Sequence, residues 1–162
     1  MFSEIEKTAY PPSKKPMMIW DGDCGFCKYW IIRYKSKTED RVSYKTYQEA
    51  AGYFKDIPLK EFQKASRFID LNGTVYSGPN SIYKTFTYYI QTPSPQWHNL
   101  YNASQLFRFI SNSGYNFIAK NRSFMFKLTR SFLGNNPTNL KWYRPFLFLF
   151  AVFTFIVLLN YL

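Results

Sequence analysis

Apolar and polar residues change period several times along the chain, and each change predicts an element. Met17-Met18-Ile19-Trp20 is an unbroken apolar run between Pro16 and Asp21-Gly22, the mark of a short buried strand. From Cys24 onward the period becomes helical. Cys27, Trp30, Ile31 and Tyr34 form a stripe, Lys28, Arg33, Lys35 and Lys37 lie mostly off it, and the stretch from Ser36 to Asp40 closes the helix. Val42, Tyr44 and Thr46 then alternate with Arg41, Ser43 and Lys45, which predicts a second strand. Residues 47–62 predict one or two short helical pieces, interrupted near Gly52 and Pro58. Asn72-Gly73 between Phe68-Ile69-Asp70 and Thr74-Val75-Tyr76 predicts a hairpin. After Gly78-Pro79, Asn80 or Ser81 can cap a helix carrying Ile82, Phe86, Tyr89 and Ile90. A proline-containing loop over 91–96 precedes two more helices, at about 97–110 and 115–133.

Strand, helix, strand, helix, hairpin, helix is the thioredoxin arrangement, so the expected fold is α/β and thioredoxin-like with extra C-terminal helices. Its limits are residues 17–133. Residues 1–16 carry no apolar core of signal-peptide length and read as a flexible leader. Gly134-Asn135-Asn136-Pro137-Thr138-Asn139 opens a linker over 134–144.

Residues 145–162 have a different pattern, apolar on every face and without charge. At about 1.5 Å per residue they reach about 27 Å, close to the thickness of a bilayer core. Trp142 and Tyr143 before the run and Tyr161 near its end suit the two interfaces, and Lys141 and Arg144 flank one side only. The expectation is a C-terminal transmembrane helix holding a single-pass protein in the cytoplasmic membrane, its catalytic domain facing the cytoplasm.

Charge sharpens this picture. All ten acidic residues lie at or before Asp70, whereas residues 71–162 carry eight Lys and Arg and no acid. A basic half suits either nucleic acid or an anionic membrane surface. The apolar tail and the lack of any nucleic-acid recognition motif favour the membrane as partner and not nucleic acid.

The chain has only two cysteines, Cys24 and Cys27, and one histidine, His98. They fall short of a disulfide scaffold and of a four-ligand zinc site. The pair is therefore redox-active, a two-coordinate soft-metal site, or incidental. Cys-x-x-Cys opening a helix has a direct use, because the helix start stabilises a thiolate and the thiolate is the attacking species in disulfide exchange. On this reading Cys24 is the exposed nucleophile, Cys27 is the resolving thiol on the core face, and they cycle between two thiols and one disulfide. Lys28 adds positive charge, Gly25 leaves the backbone open to substrate, and Phe26 offers an apolar contact. Asp23 can cap the helix. Asp21 either relays the proton of Cys27 or serves only as a turn residue.

Trp20-Asp21-Gly22-Asp23-Cys24-Gly25-Phe26-Cys27 resembles the Asp-Gly-Asp-Cys-Gly-x-Cys signature of the DCC thiol–disulfide oxidoreductase family, also called DUF393. Val75-Tyr76-Ser77-Gly78 and the segment from Tyr115 to Arg122 resemble the family's hairpin and closing motif. The resemblance implies a thioredoxin-like fold and a thiol–disulfide activity, and the expectation that goes with it is no cofactor beyond the redox-active disulfide, no metal, and a protein or small-molecule thiol or disulfide as substrate; the expected placement facing the cytoplasm adds a cytoplasmic thiol reductant. The chain departs from typical thioredoxins before the hairpin, where Ala65-Ser66-Arg67 stands in place of a cis-proline; Ser66 is then the candidate lining of the substrate site. Asn121 and Arg122 either hold an anion or tie a terminal helix to the body. Two other functions remain, a Cu(I) carrier using the same sulfurs and a non-catalytic membrane interaction protein.

Overall fold

The computed structural model describes residues 2–159. Strand β1 (Met17–Trp20) leads into helix α1 (Gly25–Thr38), strand β2 (Ser43–Thr46) and two short helices, α2 (Tyr47–Ala50) and α3 (Leu59–Lys64). A hairpin of β3 (Arg67–Ile69) and β4 (Val75–Ser77) follows. Five helices complete the chain: α4 (Pro79–Phe86), α5 (Gln96–Ala103), α6 (Gln105–Lys120), α7 (Arg122–Leu133) and α8 (Tyr143–Leu159). The strands form one mixed sheet in the order β2-β1-β3-β4. β1 and β2 run parallel, and the other two pairs are antiparallel. The parallel pair requires a crossover, which α1 supplies.

The period of two along the strands sends neighbours to opposite faces. Ile19 and Ile69 pack with Ala50, Phe54, Ile57 and Phe62 on one side of the sheet. Met18 and Phe68 pack with Ile31, Tyr34 and Val42 on the other. Arg67 belongs to the first face and is wholly buried. Its guanidinium donates to the Ser3 carbonyl at 2.7 Å, to the Glu61 carbonyl and carboxylate at 3.1 Å each, and to the Ser77 hydroxyl.

Four expectations change. Residues 2–9 are not a loose leader. Glu6 accepts from the Val75 N–H at 2.9 Å, Thr8 donates to the Gly73 carbonyl at 2.9 Å, and Phe2 is buried beside Gly78. The segment thereby covers the free edge of β4, where unpaired strand groups would otherwise stand open. Helix α4 begins at Pro79 after Gly78 at φ 55°, one or two residues before the expected cap, because proline suits a first helical turn. The two helices expected over 97–133 are three. Ser104 caps α6 by accepting from the Phe107 N–H at 3.2 Å, and Asn121 separates α6 from α7. The linker is also folded onto α1: Gly134 accepts from Tyr29 Oη at 2.8 Å, Pro137 accepts from Arg33 at 3.1 Å, and Leu140 is buried.

The tail departs from the transmembrane expectation. Helix α8 has 17 residues, and no helix among the described residues is long and apolar enough to cross a membrane. It begins two residues before Pro145 and so takes in Arg144; 17 residues reach about 26 Å, against about 30 Å of bilayer core. The last three residues of the expected span, 160–162, lie outside the described ones.

Candidate active site

The turn after β1 and the first turn of α1 build the site. The Cys24 N–H donates to the Asp21 carbonyl at 3.2 Å, which closes the turn. Gly22 is needed there, since a Cβ at that position would meet Thr46 Cγ2 at 2.8 Å. Cys24 caps α1: its φ of −88° and ψ of 105° are extended, and its sulfur accepts from the Cys27 N–H at 3.1 Å. Cys24 and Cys27 are joined in a disulfide, with their Cα atoms 5.2 Å apart. A thiolate formed at Cys24 would face that N–H and the positive end of the helix dipole.

The exposure of the two cysteines is the reverse of the sequence expectation. Cys24 is 8% exposed, whereas Cys27 is only partly buried and lines a cavity. Helix α7 packs against α1. Phe126 sits over Gly25 so closely that a Cβ there would lie 3.1 Å from its ring, and the same ring meets Tyr29 edge-on at 6.3 Å. Gly25 thus makes room for an aromatic ring from the chain itself and is still exposed. The apolar stripe of α1 widens accordingly: Tyr29 is buried as well as Ile31 and Tyr34.

Asp21 is held on both oxygens. Oδ2 pairs with Arg122 at 2.6 Å, and Oδ1 accepts from the Asp23 N–H at 3.1 Å and from Gln48 at 3.5 Å. Gln48 also donates to Asp23 Oδ2 at 3.1 Å. Arg122 therefore ties α7 to the dithiol turn, and Asn121 bonds back to the Phe117 carbonyl at 2.8 Å. Ser66 donates its N–H to the Tyr115 hydroxyl at 3.0 Å and accepts from the Gly78 N–H at 3.0 Å. Its hydroxyl lies 2.9 Å from that of Ser81.

Cys27, Asp21, Phe26 and Ser66 share one cavity of about 390 Å³, walled mainly by apolar and aromatic residues of β1, α1, α4, α6 and α7. Burial, reinforced by the neighbouring Tyr89, Tyr44 and Tyr115, raises the Tyr34 phenol well above its ordinary pKa, so this wall stays neutral. The sequence offered no spacing that would join Tyr115, Ile118, Arg122 and Met125 to the dithiol; only their place in the closing motif and its neighbourhood marked them. His98 is not part of the cavity lining. Its ring nitrogens meet Asn80 at 2.8 Å and Asn102 at 3.2 Å, and burial, then Lys84, lowers its pKa. Among the described residues no group of three or more His, Cys, Asp or Glu is placed to hold a metal ion.

Compared with protein families, residues 18–128 match the model described as DCC1-like thiol-disulfide oxidoreductase, which covers more than half of the chain. No curated protein and no solved structure matches it.

Proposed function

Because the chain belongs to the DCC1-like thiol-disulfide oxidoreductase family, we propose that it is a membrane-attached enzyme passing electrons between thiols and disulfides through Cys24 and Cys27. The observation that carries this is the disulfide at the first turn of α1, with the Cys27 N–H directed to the Cys24 sulfur. Thiolate at Cys24 is the state that a helix start favours, and stabilising one member of a dithiol makes it the better leaving group when the protein disulfide is opened. The sheet order β2-β1-β3-β4, with β1 and β2 parallel and the hairpin antiparallel, supports a thioredoxin-like core.

Phe26 and Ser66 serve as substrate contacts, since both line the cavity that Cys27 borders. Gly25 is exposed and leaves the backbone beside the sulfurs open to substrate, while its missing side chain makes room for Phe126. Asp21 acts as a positioning residue, because both its oxygens are engaged in shaping the turn and tethering α7. Added to insulin with its disulfides intact, or to a small-molecule disulfide, with excess dithiothreitol, the protein should accelerate cleavage of at least one of the two in proportion to its concentration. Equal rates with and without it would refute the catalytic reading and leave a binding role.

Membrane attachment rests on exposed apolar faces. Helix α6 exposes Leu106, Phe109 and Phe117, α7 exposes Phe124, and α8 exposes Phe146, Leu147, Phe150 and Phe153. Every charged residue after Asp70 is basic, which suits anionic lipid. Lys141 and Arg144, just before the apolar run, add to this basic surface. The full chain should stay with membranes through high-salt and alkaline carbonate washes. Release by salt would mean surface attachment by charge alone and would overturn attachment through the apolar faces.

A further inference from the structure

We propose that the cavity beside Cys27 is the binding site for a small, uncharged, aromatic or aliphatic disulfide, and that Cys27 is the sulfur that exchanges with it. The proposal rests on the oxidoreductase reading and adds the class of substrate and the order of attack.

Three features of the cavity select the ligand. Its volume of about 390 Å³ lies at the lower end of the range that takes small molecules. Trp20, Phe26, Trp30, Phe86, Ile118 and Met125 are among the residues of its apolar wall. The only charges on it, Asp21 and Arg122, neutralise each other at 2.6 Å, so a charged ligand would find no free counter-ion. An extended peptide would need backbone groups to pair with. The N–H and C=O of Ser66 are both taken inside the chain, by Tyr115 and Gly78. With α7 across the start of α1 and Cys24 buried, Cys27 is the sulfur that the cavity reaches.

The chemistry balances with the dithiol alone as reductant. The Cys27 thiolate attacks one sulfur of the disulfide RSSR, the S–S bond of RSSR breaks, and RS⁻ leaves. The Cys24 thiolate then attacks Cys27 Sγ, forming the protein disulfide and releasing the second RS⁻. Two electrons pass from the dithiol to RSSR, and the two thiol protons leave on two RSH. Reduction of the protein by an external thiol reverses the sequence, with Cys24 as leaving group at the helix start.

Dipyridyl disulfide, uncharged at neutral pH, is the probe, and dipyridylethane is its unreactive carbon analogue. Oxidation of the reduced full chain by dipyridyl disulfide should saturate, and dipyridylethane should inhibit it competitively. Ile118→Trp and Met125→Trp, which fill the cavity from two different helices, should each weaken dipyridylethane binding at least tenfold. Oxidation by hydrogen peroxide, which needs no such site, should change less than twofold in both. Cys24→Ser should accumulate a pyridyl adduct on Cys27, whereas Cys27→Ser should not form one at a comparable rate. Oxidation linear in probe concentration and indifferent to dipyridylethane would overturn the site, as would adduct formation on Cys24 in Cys27→Ser alone. Calorimetric binding of dipyridylethane to the oxidised chain involves no sulfur exchange. Binding without turnover would therefore fault the redox reading and not the cavity, and turnover without binding would fault the cavity alone.

Discussion

Replacing either sulfur of the pair by a hydroxyl is expected to bring disulfide turnover to background, a loss of at least about three orders of magnitude, the scale on which removal of an activated nucleophile acts. The reason is that the cycle needs two sulfurs in reach of each other. Cys24 and Cys27 have Cα atoms 5.2 Å apart and are joined in the structure, so each is the other's partner in exchange. The chain has no third cysteine to substitute. Cys24→Ser and Cys27→Ser should lose turnover together although their reduced forms melt within a degree or two of the reduced parent. A serine at position 24 retains an oxygen to accept the Cys27 N–H, so α1 keeps its cap and the loss belongs to chemistry. Retention of more than a tenth of the parent rate by either variant would show that turnover does not pass through the pair.

Arg67→Met is expected to produce the largest loss of stability, about 3–5 kcal/mol, as when one member of a buried ion pair is removed. Arg67 is fully buried and Glu61 is 6% exposed, so the carboxylate left behind stays in a poorly solvated place. The loss reaches beyond the pair. The same guanidinium fastens the Ser3 carbonyl and the Ser77 hydroxyl, joining the N-terminal segment, α3 and β4. Urea unfolding of the reduced protein measures the effect, and a change below about 1 kcal/mol would mean that the cluster relaxes at little cost. Glu61 also gives the stability an acid limit. Its carboxyl is held below the ordinary value, first by the Lys64 hydrogen bond at 2.8 Å, then by the Ser3 N–H and the nearby cations, against the opposing effect of burial. A depressed folded pKa means that this stabilisation is present above the ordinary carboxyl range and is lost as pH falls through the folded value.

Much of the core was legible because its signals are local. The run Met17–Trp20, the helical stripe from Cys27 to Tyr34 and Asn72-Gly73 each determine an element within a few residues, and β1, α1 and the hairpin form where they point. The motif from Asp21 to Cys27 likewise announced a dithiol at a helix start. What surrounds that dithiol was not legible, because it comes from far along the chain. Arg122 meets Asp21 across 101 residues, and Tyr115 meets Ser66 across 49. No periodicity says that Phe126 lies over Gly25 or that Cys24 is the more buried cysteine. The order of the N-terminal segment was hidden for a related reason. Residues 2–9 are held by backbone bonds to β4 and by Asp56, which accepts from Thr8 and Ala9 at 2.7 Å each, and none of these partners leaves a composition signal in the leader itself.

The reversible pairing of Cys24 with Cys27 is tested most directly by redox titration of the full chain. The protein is equilibrated in thiol–disulfide buffers spanning the range between thioredoxin and glutaredoxin, about −270 to −200 mV, then alkylated and weighed intact. The prediction is a two-state transfer between a species carrying two alkyl groups and one carrying none, with a Nernst slope for two electrons and the same curve from either direction. A chain that carries two alkyl groups at every potential tested, or one that accumulates a singly alkylated species without the internal disulfide, would contradict it.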